Sequence, residues 1–583
     1  MSQCHREQDR PLSDVVDVAA AAAAAATAAA AAAAAAAAVV GPQANASGLM
    51  CSYNALNGVP TCASSDLLTK LAREEYGFDG YITGDCGAAA DVWTAHAYGG
   101  DAAGAAAASI SAGMDVDCGN FVQQNGMAAL NSSKLTMDAL DTAVGHLFRL
   151  RIRLGYFDPP GATPWGNASH ADLNYTEHYA QALRAAQEGI VLLEHKRNVL
   201  PLQKGKTIAI SGPNANNSAN MQGIDCHGVP PYLINPVDAL KDYATVYYSE
   251  GCSITKQDTS GFAAAAADAS KSDAAVLVLG LDPSVEYEMR DRTDLLLPGV
   301  QAGLVAAVRK ALGPSKPLVL VLMGGGVIDT APVLPLVDAV LWIGYPGQSG
   351  GTALAQVLFG EVIPSGRSPL TWYPNDYAAD SSPTAVDALD MSMRPGPIVP
   401  QIGKGPYPPH GPNLGRTYRF YPGQTRYPFG YGATYGAEFK YKSMDLSVMQ
   451  LKSADVIAVV TATNAVHTRY NSPSLLTATV TVTNVGTVAA DHSVLLFASP
   501  PHAGVNGTQL HGLVGFDRVR SLAPAASAKV TIPLTAWSLA LADEEGLWGT
   551  QLGMWKIHAN NGTNHELGMQ TAGSSVAAKL TVV

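Results

Sequence analysis

Two acidic stretches could do chemistry with their side chains. "GFDGYITGDCG", residues 77–87, reads as a strand that ends on Asp85, with Gly84 before it and Cys86 after it. "EYEMRDR", residues 286–292, sets Glu286 and Glu288 close to Asp291 and Arg292. A carboxylate so placed can attack an electrophile or carry a proton. Each stretch also has an ordinary reading. Asp and Gly are common turn residues, and a charge run is usually a solvated loop. The elements around them decide between the readings.

Around Asp85, strands and helices alternate. "GLMCSY" and "GYITGD" have strand character, and "MDVDCG" reads as a third short strand. "SSDLLTKLAREEYGF" reads as a helix with Ser64 or Ser65 as its N-cap. "GDAAGAAAASISAG" is a helix closed by Gly113, and "LTMDALDTAVGHLFRLRIRLGYF" is a long amphipathic one. Such βα repetition implies a parallel sheet or a barrel. After the linker-like "PPGATPWGN", a second α/β block holds "TIAISGP", "AAVLVLGL", "PLVLVLMGG" and "AVLWIGYPG". These are continuous apolar runs closed by Gly or Pro, as in a sheet covered on both faces. "GVQAGLVAAVRKAL" is a helix between them. No G-x-G-x-x-G opens a helix, so a dinucleotide site has no support. A Pro/Gly/Tyr-rich stretch to about residue 436 reads as extended or looped chain. Beyond it, "LLTATVTVTNVGTVAADHSVLLFAS" (with a turn at Asn484-Val485-Gly486), "AKVTIPLT" and "GMWKIHANNGT" alternate apolar and polar residues, the pattern of a β-sandwich.

The 583 residues are 47% hydrophobic and only 14% charged, which suits large packed cores and excludes a mostly disordered chain. The net charge of -12, with no Lys/Arg-rich run, argues against nucleic acid as a partner. Cys4 aside, the cysteines fall as local twos: Cys51 and Cys62, Cys86 and Cys118, Cys226 and Cys252. Three disulfides in an oxidising compartment are the natural reading, with free buried thiols as the alternative. No C-x-x-C suggests zinc. Sequons begin at Asn45, Asn131, Asn167, Asn174, Asn216, Asn506 and Asn561, which together with paired cysteines favours a secreted glycoprotein. The opening "MSQCHREQDRPLSDVV" has no apolar core and is not a signal peptide. Ala19–Ala38, all Ala except Thr27, has the length of a membrane span. Ala is too weakly apolar for one, so low-complexity chain is expected and a membrane is not.

From about Gly48 to the C-terminus the sequence resembles glycoside hydrolase family 3, most closely its secreted β-xylosidase branch of plants and fungi. "MCSYNALNGVPTCA", "GFDGYITGDCG", "GLDPSVEYEMRDRTDLLLPG", "YPGQSGGTALAQVLFG", "MRPGP" and "GRTYRFYPG…YPFGYG" carry the likeness, in the family's order. The resemblance implies a partial (β/α)8 barrel, then an α/β sandwich with a mostly parallel sheet, then a fibronectin type III-like β-sandwich. The expected boundaries are a low-complexity N-terminus at 1–46, the C-terminal part of the barrel at 47–160, a linker at 161–178, the α/β domain at 179–376, an extended connector at 377–438 and the β-sandwich at 439–583.

The resemblance also assigns roles. Retaining glycoside hydrolysis uses one carboxylate as nucleophile and a second as acid, then base. Asp85 aligns with the nucleophile, and Glu288 with the acid/base, Glu286 being the alternative. Tyr53, Met50, His96 and Arg292 are expected at the substrate, with Arg292 also orienting Asp291. Cys86 is expected to pair with Cys118 and brace the nucleophile loop. No metal or cofactor is implied. The implied substrate is a terminal β-1,4-xylosyl residue of xylan or a xylo-oligosaccharide. β-Glucosidase and α-L-arabinofuranosidase are close variants, and an inactive carbohydrate-binding remnant is the non-enzymatic alternative. Cys86 after the nucleophile favours the xylosidase side, since the glucosidases usually have Trp there. The family's sugar-holding Lys-His pair has no counterpart, for no Lys-His dipeptide occurs in the chain. Roughly five barrel strands also lack one, because a full barrel takes about 250 residues. The expectation is therefore a chain whose start is missing or replaced and which is unstable or inactive as written.

Overall fold

The structure is a computed structural model. It describes residues 46–164, 166–169, 172, 175–223, 228–288, 290–378, 392–396, 413–462, 469, 472–543, 547–560 and 575–583. The Ala-rich stretch, Pro397 of "MRPGP" and the sequons at Asn45, Asn174 and Asn561 lie outside them. The chain divides into two compact units. One is built on Met1–Ser169 with Val456–Ser472 and Ala540–Thr550; the other holds His170–Asp455, Pro473–Leu539 and Gln551–Val583. No helix among the described residues is long and apolar enough to cross a membrane.

In the first unit, β1 (Gly48–Cys51) pairs in parallel with β4 (Tyr81–Gly84), in register from Gly48–Tyr81 to Cys51–Gly84. Between them a tight ladder of β2 (Ala55–Leu56) and β3 (Val59–Pro60) precedes helix α1 (Asp66–Glu75). The N-terminal bond of α1 comes from Ser64, whose Oγ accepts from Leu67 N at 3.4 Å. Helices α2 (Ala88–Thr94), α3 (Ala102–Ala112), α4 (Phe121–Asn131) and α5 (Met137–Arg153) follow. Asp101 caps α3 and Gly113 ends it at φ 112°, a conformation that costs any other residue strain. Ile82, Ala89, Ala105, Met114 and Ala129 form the centre of the core.

"MDVDCG" is not the strand expected. It touches β4 through a single parallel bridge, Thr83 to Val116. The reason is Asp115, which takes both main-chain groups of Ile82. Its N–H donates to Ile82 O at 2.7 Å, and its Oδ2 accepts from Ile82 N at 2.7 Å. A side chain thus stands where a ladder would need backbone.

The second unit contains a six-stranded sheet in the order β5 (Val191–His195), β10 (Ala339–Gly344), β9 (Leu318–Met323), β8 (Ala274–Gly280), β6 (Thr207–Ser211), β7 (Thr245–Ser249). All pairs are parallel except β10 with β5. Every residue of β8 and β9 is buried. Val276 and Val278 face one apolar layer and Ala275, Leu277 and Leu279 the other. That two-sided burial is why these strands read as continuous apolar runs. Helices α6 (Thr176–Gly189), α7 (Pro236–Leu240), α8 (Phe262–Ser270), α9 (Gln301–Leu312) and α10 (Gly350–Leu358) belong to this block.

The all-β part has two sheets: β11 (Phe439–Leu446), β13 (Ser474–Asn484), β16 (Ser527–Thr535), and β12 (Gln450–Leu451), β20 (Ser575–Val582), β19 (Gly553–Asn560), β14 (Ala490–Ser499), β15 (Gly512–Leu522). The short pair β17 (Leu541–Ala542) and β18 (Trp548–Gly549) belongs to the first unit. The turn after Asn484 joins strands of opposite sheets. Buried Asn484 makes the corner: its Nδ2 donates to Val488 O and Leu522 O, and its Oδ1 accepts from Gly486 N.

His492 on β14 is buried, with Nδ1 accepting from Arg367 Nη2 at 2.9 Å and Nε2 3.0 Å from the Tyr441 hydroxyl. Burial, with Arg367 and Arg518 adding to it, pushes this imidazole well below its ordinary 6.5. The folded state therefore holds His492 neutral while the unfolded chain protonates it below about pH 6.5. Its contribution is intact above that pH and is lost as pH falls, at up to about 1.4 kcal/mol per pH unit. His492→Asn keeps an acceptor for Arg367 and does not titrate. Urea unfolding at pH 7, 6 and 5 should show a flatter loss of stability for the variant. Parallel curves would disprove the linkage.

Candidate active site

Asp85 stands at the carboxyl end of β4, half-buried, where the chain turns into α2. Three main-chain bonds fix the turn. Asp85 N donates to Cys51 O at 2.9 Å, Gly84 N to Val116 O at 2.8 Å, and Gly87 N to Cys118 O at 2.9 Å. The Cys51–Cys62 and Cys86–Cys118 disulfides tie the same segments covalently. Gly84 has no room for a side chain at ease, since a Cβ there would sit 3.1 Å from Met114 Sδ. Cys86 N donates to Asp85 Oδ1 at 2.7 Å, and the second carboxylate oxygen takes no hydrogen bond from the described residues. Asp85 is thus a carboxylate on a rigid backbone with one oxygen engaged and one open.

Tyr53 and His96 join this cluster. The Tyr53 hydroxyl donates to Cys86 O at 3.0 Å, and His96 Nε2 lies 2.7 Å from Tyr53 O. A carbonyl only accepts, so that nitrogen carries the ring proton. Met50 is 60% exposed on β1, and its side chain makes no hydrogen bond among the described residues.

Sequence reasoning missed the brace behind β4. Asp115 has a side chain 2% exposed; its Oδ2 accepts from Arg73 Nη2 at 2.6 Å and its Oδ1 lies 2.8 Å from His146 Nδ1. Burial pulls the Arg73 guanidinium below its ordinary value, and Asp115 opposes that. An Asp inside the apolar "GMDV" context is the only signal the sequence offers for it. Asp115→Ala should cost about 3–5 kcal/mol, because Arg73 would remain buried without its partner. A change below about 1 kcal/mol in urea unfolding would refute the brace, for it would then match a surface substitution.

In the second unit, Glu286 and Glu288 lie on the loop that leaves the carboxyl end of β8. β6 has β7 on one side and β8 on the other, so chain direction across the sheet reverses there. Open α/β sheets bind ligands outside the carboxyl ends of strands at such points. The two glutamates differ sharply. Glu286 Oε1 accepts from Gly326 N at 2.8 Å, and its Oε2 is 3.0 Å from Arg292 Nε. Glu288 is exposed and has no hydrogen bond or ion pair among the described residues. Arg292 therefore pairs with Glu286 and not with Asp291, as the sequence had suggested. Its other bond goes to Val327 O at 2.9 Å. Spacing misled here because the chain turns between residues 287 and 290 and brings residue 292 back beside 286.

The third expected disulfide is also corrected. Cys252 is a free, buried thiol packed in one of the two apolar layers of the six-stranded sheet, and burial pushes it up to about 11. Cys226 lies outside the described residues.

Sequence profiles described as "Glycosyl hydrolase family 3 N terminal domain", "Glycosyl hydrolase family 3 C-terminal domain" and "Fibronectin type III-like domain" match residues 36–150, 190–435 and 492–562. Over 529 residues the chain is 37% identical to "Probable exo-1,4-beta-xylosidase xlnD" of Aspergillus fumigatus, covering 90% of this chain and 63% of that protein. "Beta-D-xylosidase 1" of Arabidopsis thaliana is 36% identical over 532 residues, 88% of this chain and 66% of its own length. The chain thus spans somewhat less than two thirds of these relatives. Among solved structures, "GH3 exo-beta-xylosidase (XlnD) in complex with xylobiose aziridine activity based probe" superposes with a TM-score of 0.77 at 33% identity, over 93% of this chain and 67% of that one. A Bifidobacterium adolescentis GH3 beta-glucosidase shares the fold, with a TM-score of 0.68 at 24% identity over 92% of this chain and 69% of that one.

Proposed function

The chain belongs to glycoside hydrolase family 3, and from that premise we propose that it is a retaining exo-β-xylosidase acting on terminal β-1,4-xylosyl residues of xylo-oligosaccharides. The observation that carries the reading is Asp85, a carboxylate at a strand end with one oxygen open to an electrophile. Asp85 attacks the anomeric carbon, and a glycosyl ester forms as the glycosidic C–O bond breaks. Glu288 gives its proton to the departing oxygen. Its carboxylate then takes a proton from water, whose oxygen displaces Asp85, so xylose leaves with its configuration retained. Tyr53 and His96 hold the loop behind the nucleophile, and Arg292 serves through Glu286. Met50 is kept as a substrate contact on the strength of the family resemblance and its exposure.

The two disulfides support an oxidising, extracellular setting. The described sequon residues Asn131, Asn167, Asn216 and Asn506 are all exposed, as glycan carriers must be.

A panel of 4-nitrophenyl glycosides tests the substrate. The β-xyloside should be cleaved fastest; the β-glucoside, with its extra hydroxymethyl group, should be at least about tenfold slower, the discrimination a pocket achieves by refusing one extra substituent, and the α-L-arabinofuranoside should be slower as well. Proton NMR of early product should show β-xylose before mutarotation. A glucoside preference, or α-xylose as first product, would overturn the proposal.

A further inference from the structure

We propose that Glu286 and Arg292 form a clamp that positions Glu288, an inference that rests on reading Glu288 as the acid/base. The loop after β8 is a small lever. Tyr287 N donates to Arg290 O at 3.1 Å and Arg290 N to Tyr287 O at 2.9 Å, a reciprocal pair that closes a hairpin with Glu288 at its tip. One such pair is marginal in water. Its base must be held from elsewhere if the tip carboxylate is to keep one place.

The hold is the ion pair one residue outside the hairpin on one leg and two on the other. The Glu286 and Arg292 side chains are 19% and 12% exposed. Each also reaches the glycine-rich chain that leaves β9: Glu286 Oε1 accepts from Gly326 N, and Arg292 Nη1 donates to Val327 O. The loop is thereby anchored to the end of a fully buried strand. Gly326 is where the two partners meet it. A Cβ there would lie 2.6 Å from Glu286 Oε2 and would also strike the Arg292 guanidinium, so only glycine lets the clamp close. A second anchor holds the outgoing leg: Arg290 Nη1 donates to Pro283 O at 3.3 Å and Ser284 O at 3.2 Å.

Both oxygens of Glu286 are engaged, so neither is placed to hand a proton to a leaving group. Glu286 is a positioning residue. A mostly buried ion pair resists opening because either partner alone would be an uncompensated charge. A shift of about 1 Å in a catalytic group can cost about a hundredfold in rate.

A variant cycle on the full chain tests this. Glu286→Gln keeps the side chain's shape and one acceptor but removes the ion pair. Hydrolysis of xylobiose, whose leaving group needs a proton, should fall about 10- to 100-fold. The same change made in Glu288→Gln should have less than about a threefold effect, because there is no longer an acid to place. A merely structural role would slow both backgrounds equally, and that result would overturn the clamp. Amide hydrogen exchange gives an arm independent of turnover. Residues 286–292 should exchange at least about tenfold faster in Glu286→Gln, with β8 and β9 unchanged; unchanged loop exchange refutes the clamp even in a chain without measurable hydrolysis. Xylobiose turnover that survives Glu288→Gln would instead refute the acid/base reading, leaving the exchange result to decide the clamp.

Discussion

Asp85→Asn should lower kcat for aryl β-xyloside hydrolysis by at least about 10⁴-fold, the order lost when a covalent nucleophile is removed from a preorganised site. An amide does not form the glycosyl ester. The fold should not suffer. Asparagine is isosteric, its carbonyl oxygen can still accept from Cys86 N, and the three main-chain bonds around the turn do not involve the side chain. Circular dichroism and the urea midpoint should match the parent within about 0.5 kcal/mol, the usual range for a replacement that breaks no structural contact. A smaller replacement sharpens the test. Asp85→Ala leaves space for azide, which should attack the face opposite the leaving group and give the α-xylosyl azide as Glu288 protonates the departing oxygen. A fully active Asp85→Asn variant would place the nucleophile elsewhere.

Glu288→Gln should have a large effect of a different kind. Loss of a general acid costs about 10²–10⁴-fold where the leaving group needs a proton. Xylobiose should show that loss, while a 2,4-dinitrophenyl xyloside should form its glycosyl ester at close to the parent rate. Water would then attack slowly, lacking a base, so the ester accumulates and a burst of dinitrophenol appears. Added azide needs no base and should release β-xylosyl azide. The opposite configuration of the two azides separates the roles of Asp85 and Glu288. Azide rescue of Glu286→Gln, with none of Glu288→Gln, would exchange the two glutamates.

The strands of the parallel sheet were legible because two-sided burial writes itself as unbroken apolar runs, as in Ala274–Gly280 and Leu318–Met323. β7 was not legible: Thr245–Ser249 is an edge strand with three of its five residues exposed and no long apolar run. Asp85 was legible as a strand-end carboxylate, and Tyr53 and His96 lie on the chain around it, Tyr53 bonded to Cys86 O and His96 to Tyr53 O. Three features depended on contacts that sequence proximity hides. Asp115 takes the place of a strand at Ile82 from 33 residues away. Arg292 reaches back past its neighbour Asp291 to Glu286 because of a hairpin. Cys252 points into the packed layer beside the sheet, where Leu304 and Leu277 also sit. In each case the pattern names residue types, while three-dimensional closure chooses the partner.

The central claim is that this chain forms a covalent glycosyl ester through Asp85. Incubation with a 2-deoxy-2-fluoro β-xyloside bearing a dinitrophenyl leaving group tests it most directly, because the fluorine slows release of the ester far more than azide or water can make up. Intact-mass and peptide mass spectrometry should find one fluoroxylosyl group per chain, on the peptide carrying Asp85, and none on Asp85→Asn. A chain that stays unlabelled, or a label on any other residue, would contradict the account.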